Sequence, residues 1–297
     1  MLGSTLSLVL ASNSNLQVTS TVRGDKDFKT MPNSINWIKF DLNQFTVSSL
    51  SNLLQQYDYV VNCLGYIKQR SGKCTTFLSS EMFSSNSVFP LVIDYLSGHL
   101  DFKVYQIGTD CVFDGKKGFY SEKSEITGMD DYGLSKALME NRLNNSMVLR
   151  CSIIGPEFRN KLSLLEWFLN QPNKAILNGF TNHYWNGIST YHFAKIINGC
   201  LDFDEQRNGT FHIIPQDAVS KYQLLCLVRE IFDRQDIQII PYEDLISVNR
   251  VLQTKFAKEN LRFWSQAGYK EPPSIKTIIE ECRGFVEEYR KKFRIET

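Results

Sequence analysis

Through the first two-thirds of the chain, short apolar runs alternate with longer segments in which apolar residues recur every three or four positions. The short runs predict strands at Leu16–Val22, Ile35–Phe40, Tyr57–Gly65, Phe102–Thr109 and Ser146–Ile154. The longer segments predict helices at Val47–Gln56, Ser79–Gly98 and Tyr132–Leu143. Strands that are apolar along most of their length and that alternate with helices are typical of a parallel, doubly wound α/β sheet.

The last third of the chain has a less regular pattern. Helices are predicted at Ser163–Asn170, Ser189–Asp202, Ser220–Phe232 and Ser274–Lys292, and strands at Gly209–Pro215 and Ile237–Glu243. No repeat or Pro/Gly-rich linker separates these segments from the preceding ones. We therefore expect the second half to interleave with the first.

Composition narrows the class of protein. With 33 basic and 32 acidic residues among 297, the chain has no basic footprint for nucleic acid. The seven cysteines follow no metal-ligand or disulfide spacing, which indicates reduced thiols and a cytoplasmic protein. No apolar run approaches the roughly 20 residues of a membrane span, so no membrane partner is expected. The four histidines lack ligand spacing, so no metal site is expected.

Three residues carry the candidate chemistry. Thr109 ends a predicted strand, and Tyr132 begins a predicted helix on which Lys136 lies four residues further, on the same face. Ligands of open α/β sheets bind at the carboxyl ends of the strands, where Thr109 lies. A second pair with this spacing, Tyr191 and Lys195, lies inside a predicted helix, where we expect it to be structural.

The stretches GTDCVFDG (108–115), YGLSK (132–136) and MVLRCSIIGPE (147–157) resemble the extended short-chain dehydrogenase/reductase superfamily. Within it they are most similar to the dTDP-4-dehydrorhamnose reductase-like nucleotide-sugar reductases. Cys111 stands where that group has an aromatic residue. The resemblance implies a Rossmann-type sheet with a smaller α+β substrate-binding lobe. It places residues 1–155 and 189–215 in the dinucleotide-binding domain, and 156–188 and 216–297 in the lobe.

The same resemblance implies that Tyr132 donates a proton to a ketone that receives hydride. Lys136 would lower the pKa of the phenol and hold the nicotinamide ribose, and Thr109 would bind the carbonyl oxygen. Substrate contacts are implied for Asp110, Phe113, Trp185, Asn186 and Arg250. The expected reaction is reduction of a nucleotide-activated 4-keto-6-deoxy sugar for surface polysaccharide biosynthesis.

The cofactor end departs most from the family. Gly3 and Ser4 match the last glycine of the phosphate-binding turn and the start of its helix, whereas the preceding strand and glycines have no counterpart. We therefore expect the central sheet position beside Leu16–Val22 to be vacant or distorted. Two interpretations are a start assigned too late and a shortened pseudoenzyme.

Further cofactor contacts follow from position in the family. Arg23 follows the second family strand, where a basic residue suits the 2′-phosphate of NADP, with NAD as the alternative. Asp41 would contact the adenine, and the turn formed by Cys63, Leu64 and Gly65 would run along the dinucleotide.

Other functions remain open at this stage. The chain could be a non-catalytic nucleotide-sugar-binding or regulatory subunit, or an epimerase or dehydratase of the same fold. The sequence also leaves the oligomeric state open, with a homodimer as the candidate assembly.

Overall fold

The fold is a set of parallel strands flanked by helices, followed by a smaller lobe of short strands. The computed structural model describes residues 1–24, 32–67, 80–128, 130–157 and 161–292. The helices are α1 Leu2–Ala11, α2 Val47–Leu54, α3 Ser80–Phe83, α4 Phe89–Ser97, α5 Asp131–Glu140, α6 Leu164–Leu169, α7 Thr190–Asp202, α8 Lys221–Ile231, α9 Ala257–Gln266 and α10 Ile275–Lys292. The strands are β1 Thr19–Val22, β2 Asn36–Lys39, β3 Tyr59–Asn62, β4 Lys103–Gly108, β5 Ser146–Arg150, β6 Ile153–Ile154, β7 Ile176–Phe180, β8 His183–Trp185, β9 Ile188–Ser189, β10 Gly209–His212, β11 Val219–Ser220, β12 Gln238–Tyr242 and β13 Val248–Asn249.

The larger sheet is parallel, with strand order β10-β5-β4-β3. A separate parallel pair joins β1 to β2. Among the residues that the structure describes, no strand pairs with β1 on its other side or with β3 on its outer side. Within the described residues, β1 and β3 thus belong to two separate sheets.

The first hydrophobic core lies between the larger sheet and the helices α1, α7 and α9. Leu6 and Leu10 of α1 pack with the fully buried Phe193 and Ile197 of α7. Each such side chain contributes roughly 1.5–3 kcal/mol when it is removed from water. This packing fixes the beginning of α1 near the carboxyl end of the sheet.

A second core forms the smaller lobe. The strands β7 and β12 pair in parallel, and β8 pairs with β11 and β13. Helices α6, α8 and α10 cover these strands through buried residues that include Phe168, Leu224 and Ile279. The mixed α+β lobe therefore has the composition that the resemblance implies.

Side-chain caps fix where the functional helices begin. Asp130 accepts a hydrogen bond from the Gly133 amide at the start of α5. Ser220 and Gln223 form a reciprocal capping box at the start of α8. Such caps stabilise a helix by about 1 kcal/mol and fix its first residue. The positions of Tyr132 and Lys221, in the first turns of these helices, follow from them.

In the described part of the chain, the helices are all too short or too polar to cross a lipid bilayer.

Candidate active site

Thr109 lies at the carboxyl end of β4, where the chain turns sharply. Its side-chain oxygen accepts a hydrogen bond from the Cys111 amide at 3.2 Å and caps a single helical turn, Asp110–Val112. Only 6% of Thr109 is exposed. The turn holds the Thr109 hydroxyl at the sheet edge where the sequence places it.

Helix α5 approaches this turn closely because its third residue, Gly133, has no side chain. A Cβ atom at Gly133 would overlap the carbonyl oxygen of Cys111. The close approach sets the half-buried Tyr132 beside Thr109, whose side chain acts on the phenol. Two of the three predicted catalytic residues therefore meet in the structure.

The environment of Tyr132 raises the pKa of its phenol. Burial is the main cause, and the negative charges that Cys111 and Asp110 can carry add to it. The neighbouring Thr109 hydroxyl opposes the rise in pKa. The implied lowering of this pKa by Lys136 is thus not found in this structure, because burial outweighs it. The phenol keeps its proton at neutral pH.

Lys136 is buried one turn further along α5, with 3% of its surface exposed. Its ammonium donates a hydrogen bond to the Ile107 carbonyl at 3.2 Å. Burial lowers the pKa of Lys136 to about 8, while the negative charge of Glu140, followed by a smaller effect of Cys63, favours the charged form. The ammonium is therefore held between the ends of β3 and β4.

A group of charged side chains surrounds the other side of the turn. Burial raises the pKa of Asp110, and the positive charges of Arg250 and Lys221 oppose the rise. Burial also lowers the pKa of Lys221. The Arg250 guanidinium donates to the Phe113 carbonyl at 2.8 Å and lies 4.0 Å from Asp130. Two cations thus converge on the turn that carries Thr109.

Three predicted substrate contacts need correction. Phe113 is fully buried and stacks on Tyr120 at 4.3 Å, so it supports the turn from the protein interior. Trp185 is 3% exposed and its indole nitrogen donates to Ser152, so the ring is part of the core. Asn186 uses both ends of its amide on the Leu252 backbone. Their position in the chain suggested substrate contact, but their side chains point inward.

The cofactor residues predicted near the start of α1 lie at the same sheet edge. A Cβ atom at Gly3 would be 3.5 Å from Cβ of Cys63, so α1 begins against the end of β3. The Ser4 hydroxyl is 2.6 Å from that of Tyr289 and also bonds to the Met1 carbonyl. Ser4 is thus engaged within the protein, which argues against a direct phosphate contact from its side chain.

The turn after β3 is shaped by amide side chains. The side-chain oxygen Oδ1 of Asn62 accepts a hydrogen bond from the Leu64 amide at 3.0 Å, which bends the chain. Beyond it, Gly65 is exposed, and a Cβ atom there would be 3.7 Å from the Asn86 side chain. The turn therefore presents backbone toward the sheet edge, as a dinucleotide requires.

The remaining cofactor residues lie at the ends of β1 and β2. Arg23 is exposed just after β1. Asp41 follows β2 and accepts a hydrogen bond from the Asn43 amide at 3.0 Å, so one carboxylate oxygen fixes its own turn. Arg23 and Asp41 thus lie at the carboxyl ends of the parallel pair β1–β2.

Asn86 is a site residue that the sequence did not reveal. It lies in a π-helical segment, Ser84–Val88, between α3 and α4, and it is fully buried. Its amide bonds to both backbone groups of Tyr66 and to the Ser135 hydroxyl. Asn86 thus ties the turn after β3 to helix α5. Its partners lie 20 and 49 residues away, so no local pattern could have indicated this role.

The second Tyr–Lys pair has a structural role. Tyr191 stacks on Phe285 at 4.8 Å, and the Lys195 ammonium donates to the Tyr269 hydroxyl at 2.8 Å. Both contacts join α7 to the C-terminal part of the chain. Within the described residues, no cluster of three metal-ligating side chains occurs.

This arrangement of fold and site defines a class: Rossmann-type proteins of the short-chain dehydrogenase/reductase kind, with a hydroxyl residue at a strand end beside a helical tyrosine. Within that class, the chain belongs to the RmlD substrate binding domain family, whose model matches residues 1–282. No curated protein sequence matches the chain significantly.

Solved structures share the fold at low sequence identity. A dTDP-4-dehydrorhamnose reductase from Clostridium acetobutylicum superposes with a TM-score of 0.68 at 16% identity, covering 92% of this chain and all of that one. A Bacillus anthracis dTDP-4-dehydrorhamnose reductase, solved with NADP, gives 0.66 at 17% identity over 85% and 90% of the chains. A Bacillus cereus UDP-glucuronic acid 4-epimerase, solved with UDP-glucuronic acid and NAD, gives 0.71 at 15% identity over 97% and 96%.

Proposed function

We propose that the protein is a reductase that uses a nicotinamide dinucleotide to reduce the keto group of a nucleotide-activated 4-keto-6-deoxy sugar. The observation that carries this proposal is that the Thr109 and Tyr132 side chains lie next to each other at the carboxyl end of β4. Membership in the RmlD substrate binding domain family supports the substrate class.

The bound nicotinamide would supply the hydride, and the protein supplies the proton and the geometry. Tyr132, protonated at neutral pH, donates its proton to the oxygen of the reduced ketone. Thr109 orients that oxygen by a hydrogen bond. Lys136 has donors beyond its bond to Ile107, and these hold a ribose hydroxyl of the cofactor. Lys221 and Arg250 add positive charge for the diphosphate that links nucleotide and sugar.

Two other functions would use the same residues differently. A 4-epimerase would interconvert the sugar without net consumption of cofactor, and a non-catalytic subunit would bind nucleotide sugar without turning it over. The proposed reductase is favoured because a phenol with a raised pKa is a donor that stays protonated until the reaction creates a stronger base.

The direct test is to incubate the purified protein with NADPH and dTDP-4-keto-6-deoxy-glucose and its 3,5-epimer. Stoichiometric loss of reduced nicotinamide with formation of a 4-hydroxy sugar, identified by NMR, is the expected result. A sugar with inverted configuration at carbon 4, formed with no net loss of cofactor, would establish an epimerase instead. Saturable binding without any conversion would establish the binding subunit.

The proposed cofactor is NADP, with NAD as the weaker ligand, because Arg23 is exposed where the adenine ribose would lie. Arg23→Asp should reduce or reverse the preference for NADPH over NADH, since a carboxylate repels the 2′-phosphate. Titration calorimetry with both cofactors measures this. Lys258→Asp, an equal charge change at an exposed position of α9, is the matched control. Equal affinity of the unaltered protein for both cofactors would contradict the assignment.

A further inference from the structure

Three ionisable side chains lie one helical turn apart on α5. Tyr132, Lys136 and Glu140 are separated by four residues each and so share a face of the helix. Glu140 is the last residue of α5, and only 1% of its side chain is exposed. A buried carboxylate costs free energy unless it is paired. Its partners therefore decide what it can do.

Arg150, at the end of β5, holds Glu140 in place. Its Nε donates to Oε2 of Glu140 at 3.0 Å, and its Nη2 donates to the same oxygen. The third guanidinium nitrogen is 2.7 Å from Nε2 of His212, whose Nδ1 is 2.7 Å from the Gln253 carbonyl. Both contacts of Arg150 with Glu140 use one carboxylate oxygen.

The other oxygen of Glu140 is buried and accepts no hydrogen bond from the described residues. It lies against the backbone of β4, because a Cβ atom at Gly108 would be only 2.8 Å from it. Gly108 directly follows Ile107, whose carbonyl binds the Lys136 ammonium. The unpaired carboxylate oxygen therefore lies beside the strand end to which Lys136 is anchored.

We propose that Glu140 is a positioning residue for Lys136: its ionised carboxylate, fixed by Arg150, keeps the Lys136 ammonium charged and directed at the cofactor edge. The effect of Glu140 on the charge of Lys136 does not depend on the proposed function. Only the role of Lys136 in catalysis rests on it.

The groups that face Lys136 support this assignment. The Cys63 thiol faces it from the end of β3, the Ile107 carbonyl from β4, and Glu140 from α5. Burial raises the pKa of Cys63 to about 12, so that thiol is neutral at physiological pH. The chain's amino terminus acts on Cys63 and opposes this rise. Glu140 is therefore the anion that opposes the deprotonation of the buried lysine.

The test is the titration of Lys136 itself, followed by NMR of protein labelled with ε-¹³C-lysine, with the signal assigned by its loss in Lys136→Arg. In Glu140→Gln the ammonium should release its proton at a pH lower by roughly one unit, a tenfold change of proton affinity, because a nearby buried negative charge is gone. Glu140→Asp, which keeps the charge, should restore most of the shift. Glu125→Gln, at an exposed carboxylate, is the control and should leave the titration unchanged.

Removing one partner of a buried ion pair can prevent folding, so Glu140→Gln with Arg150→Met is the second variant. It should show a shift in the same direction, since the negative charge of Glu140 acts on the Lys136 ammonium. An unshifted Lys136 titration in whichever variant folds would overturn the inference. The alkaline limb of the kcat/KM profile should move with the titration. If the titration shifts but the protein reduces no keto sugar, the proposed function fails and the role of Glu140 stands.

Discussion

Burial is the first cause of the pKa shifts at both Tyr132 and Lys136, and it acts on them in opposite directions. A buried phenol holds its proton more tightly, whereas a buried ammonium releases its proton more easily. The ground state thus has a protonated donor beside a lysine that is charged below about pH 8. This is the protonation state that the proposed ketone reduction requires.

Because Lys136 is buried while it is charged, we expect it to lower the free energy of unfolding. The pKa of Lys136 falls from 10.5 unfolded to about 8 folded, so below pH 8 the cost is fully present and it is relieved as the pH rises toward 10.5. Lys136→Met should therefore raise the free energy of unfolding at pH 7 by on the order of 1–3 kcal/mol. Urea denaturation measures this, with the exposed Lys258→Met as the control. A loss of stability in Lys136→Met would show that the ammonium is a net stabilising group.

At the scale of secondary structure, one contact sets the geometry of the site. Helix α5 starts against the Asp110–Val112 turn because Gly133 has no side chain. The Asp130 cap fixes the first residue of the helix, and Asn86 holds its middle through Ser135. The placement of Tyr132 beside Thr109 depends on these three contacts.

Replacing Gly133 by alanine should separate α5 from the turn, because the added methyl would overlap the Cys111 carbonyl. We expect a loss of roughly 1–3 kcal/mol in stability and a fall in turnover as Thr109 and Tyr132 move apart. Thermal unfolding and steady-state kinetics measure the two effects. Gly284→Ala, in α10 where a Cβ meets nothing, should instead stabilise by up to about 1 kcal/mol. Equal behaviour of the two variants would contradict the role of Gly133.

The sequence predicts those strands and helices in which apolar residues form an unbroken run or recur at a regular spacing. Strands β1 to β5 and helices α5, α7, α8 and α10 were all expected within a few residues of their observed bounds. Helix α9 was missed because Ala257–Gln266 is mostly polar and buries little beyond Phe263 and Trp264. The short strands β7 and β8 were missed because they are half-exposed. Their pairing is decided by distant partners.

The sequence predicts those site residues whose position is set by the end of a strand or the beginning of a helix. Thr109 and Tyr132 satisfy this condition, and the structure brings them together. The side-chain directions of Phe113, Trp185 and Asn186 depend on tertiary packing, so position alone gave the wrong role. The sequence did not indicate a role for Lys221 or Glu140, because the side chains that they contact or act on lie on other elements of the fold. The remaining assignments of site residues, and the division of the chain into domains, stay predictions.

For the whole molecule, α10 connects the two cores. Ile278 packs into the first core, and Ile279 and Cys282 pack into the second. Movement of the lobe would therefore strain this helix. Analytical ultracentrifugation of the purified protein would show whether it forms the predicted homodimer.

Stability of the whole molecule should fall in mild acid because of His212. Burial, reinforced by the positive charge of Arg150, lowers the pKa of this histidine to about 4, against 6.5 for an ordinary histidine. The unfolded chain binds a proton between these values and the folded chain does not, so stability is lost as the pH falls from 6.5 to 4. In His212→Gln the dependence of the melting temperature on pH should be flatter across this window. His99→Gln, at an exposed histidine, is the control, and parallel curves for both variants would contradict the prediction.

The central claim is that Tyr132 donates the proton, and the most direct measurement is the turnover of Tyr132→Phe beside Tyr191→Phe. Both changes remove one phenolic oxygen from a tyrosine that precedes a lysine by four residues. With NADPH and the keto sugar, Tyr132→Phe should lower kcat by roughly 10²–10⁴-fold, the usual contribution of general acid catalysis, with little change in substrate binding. Tyr191→Phe should keep kcat within a few-fold of the unaltered protein. Unchanged turnover in Tyr132→Phe, or an equal loss in both variants, would contradict the account.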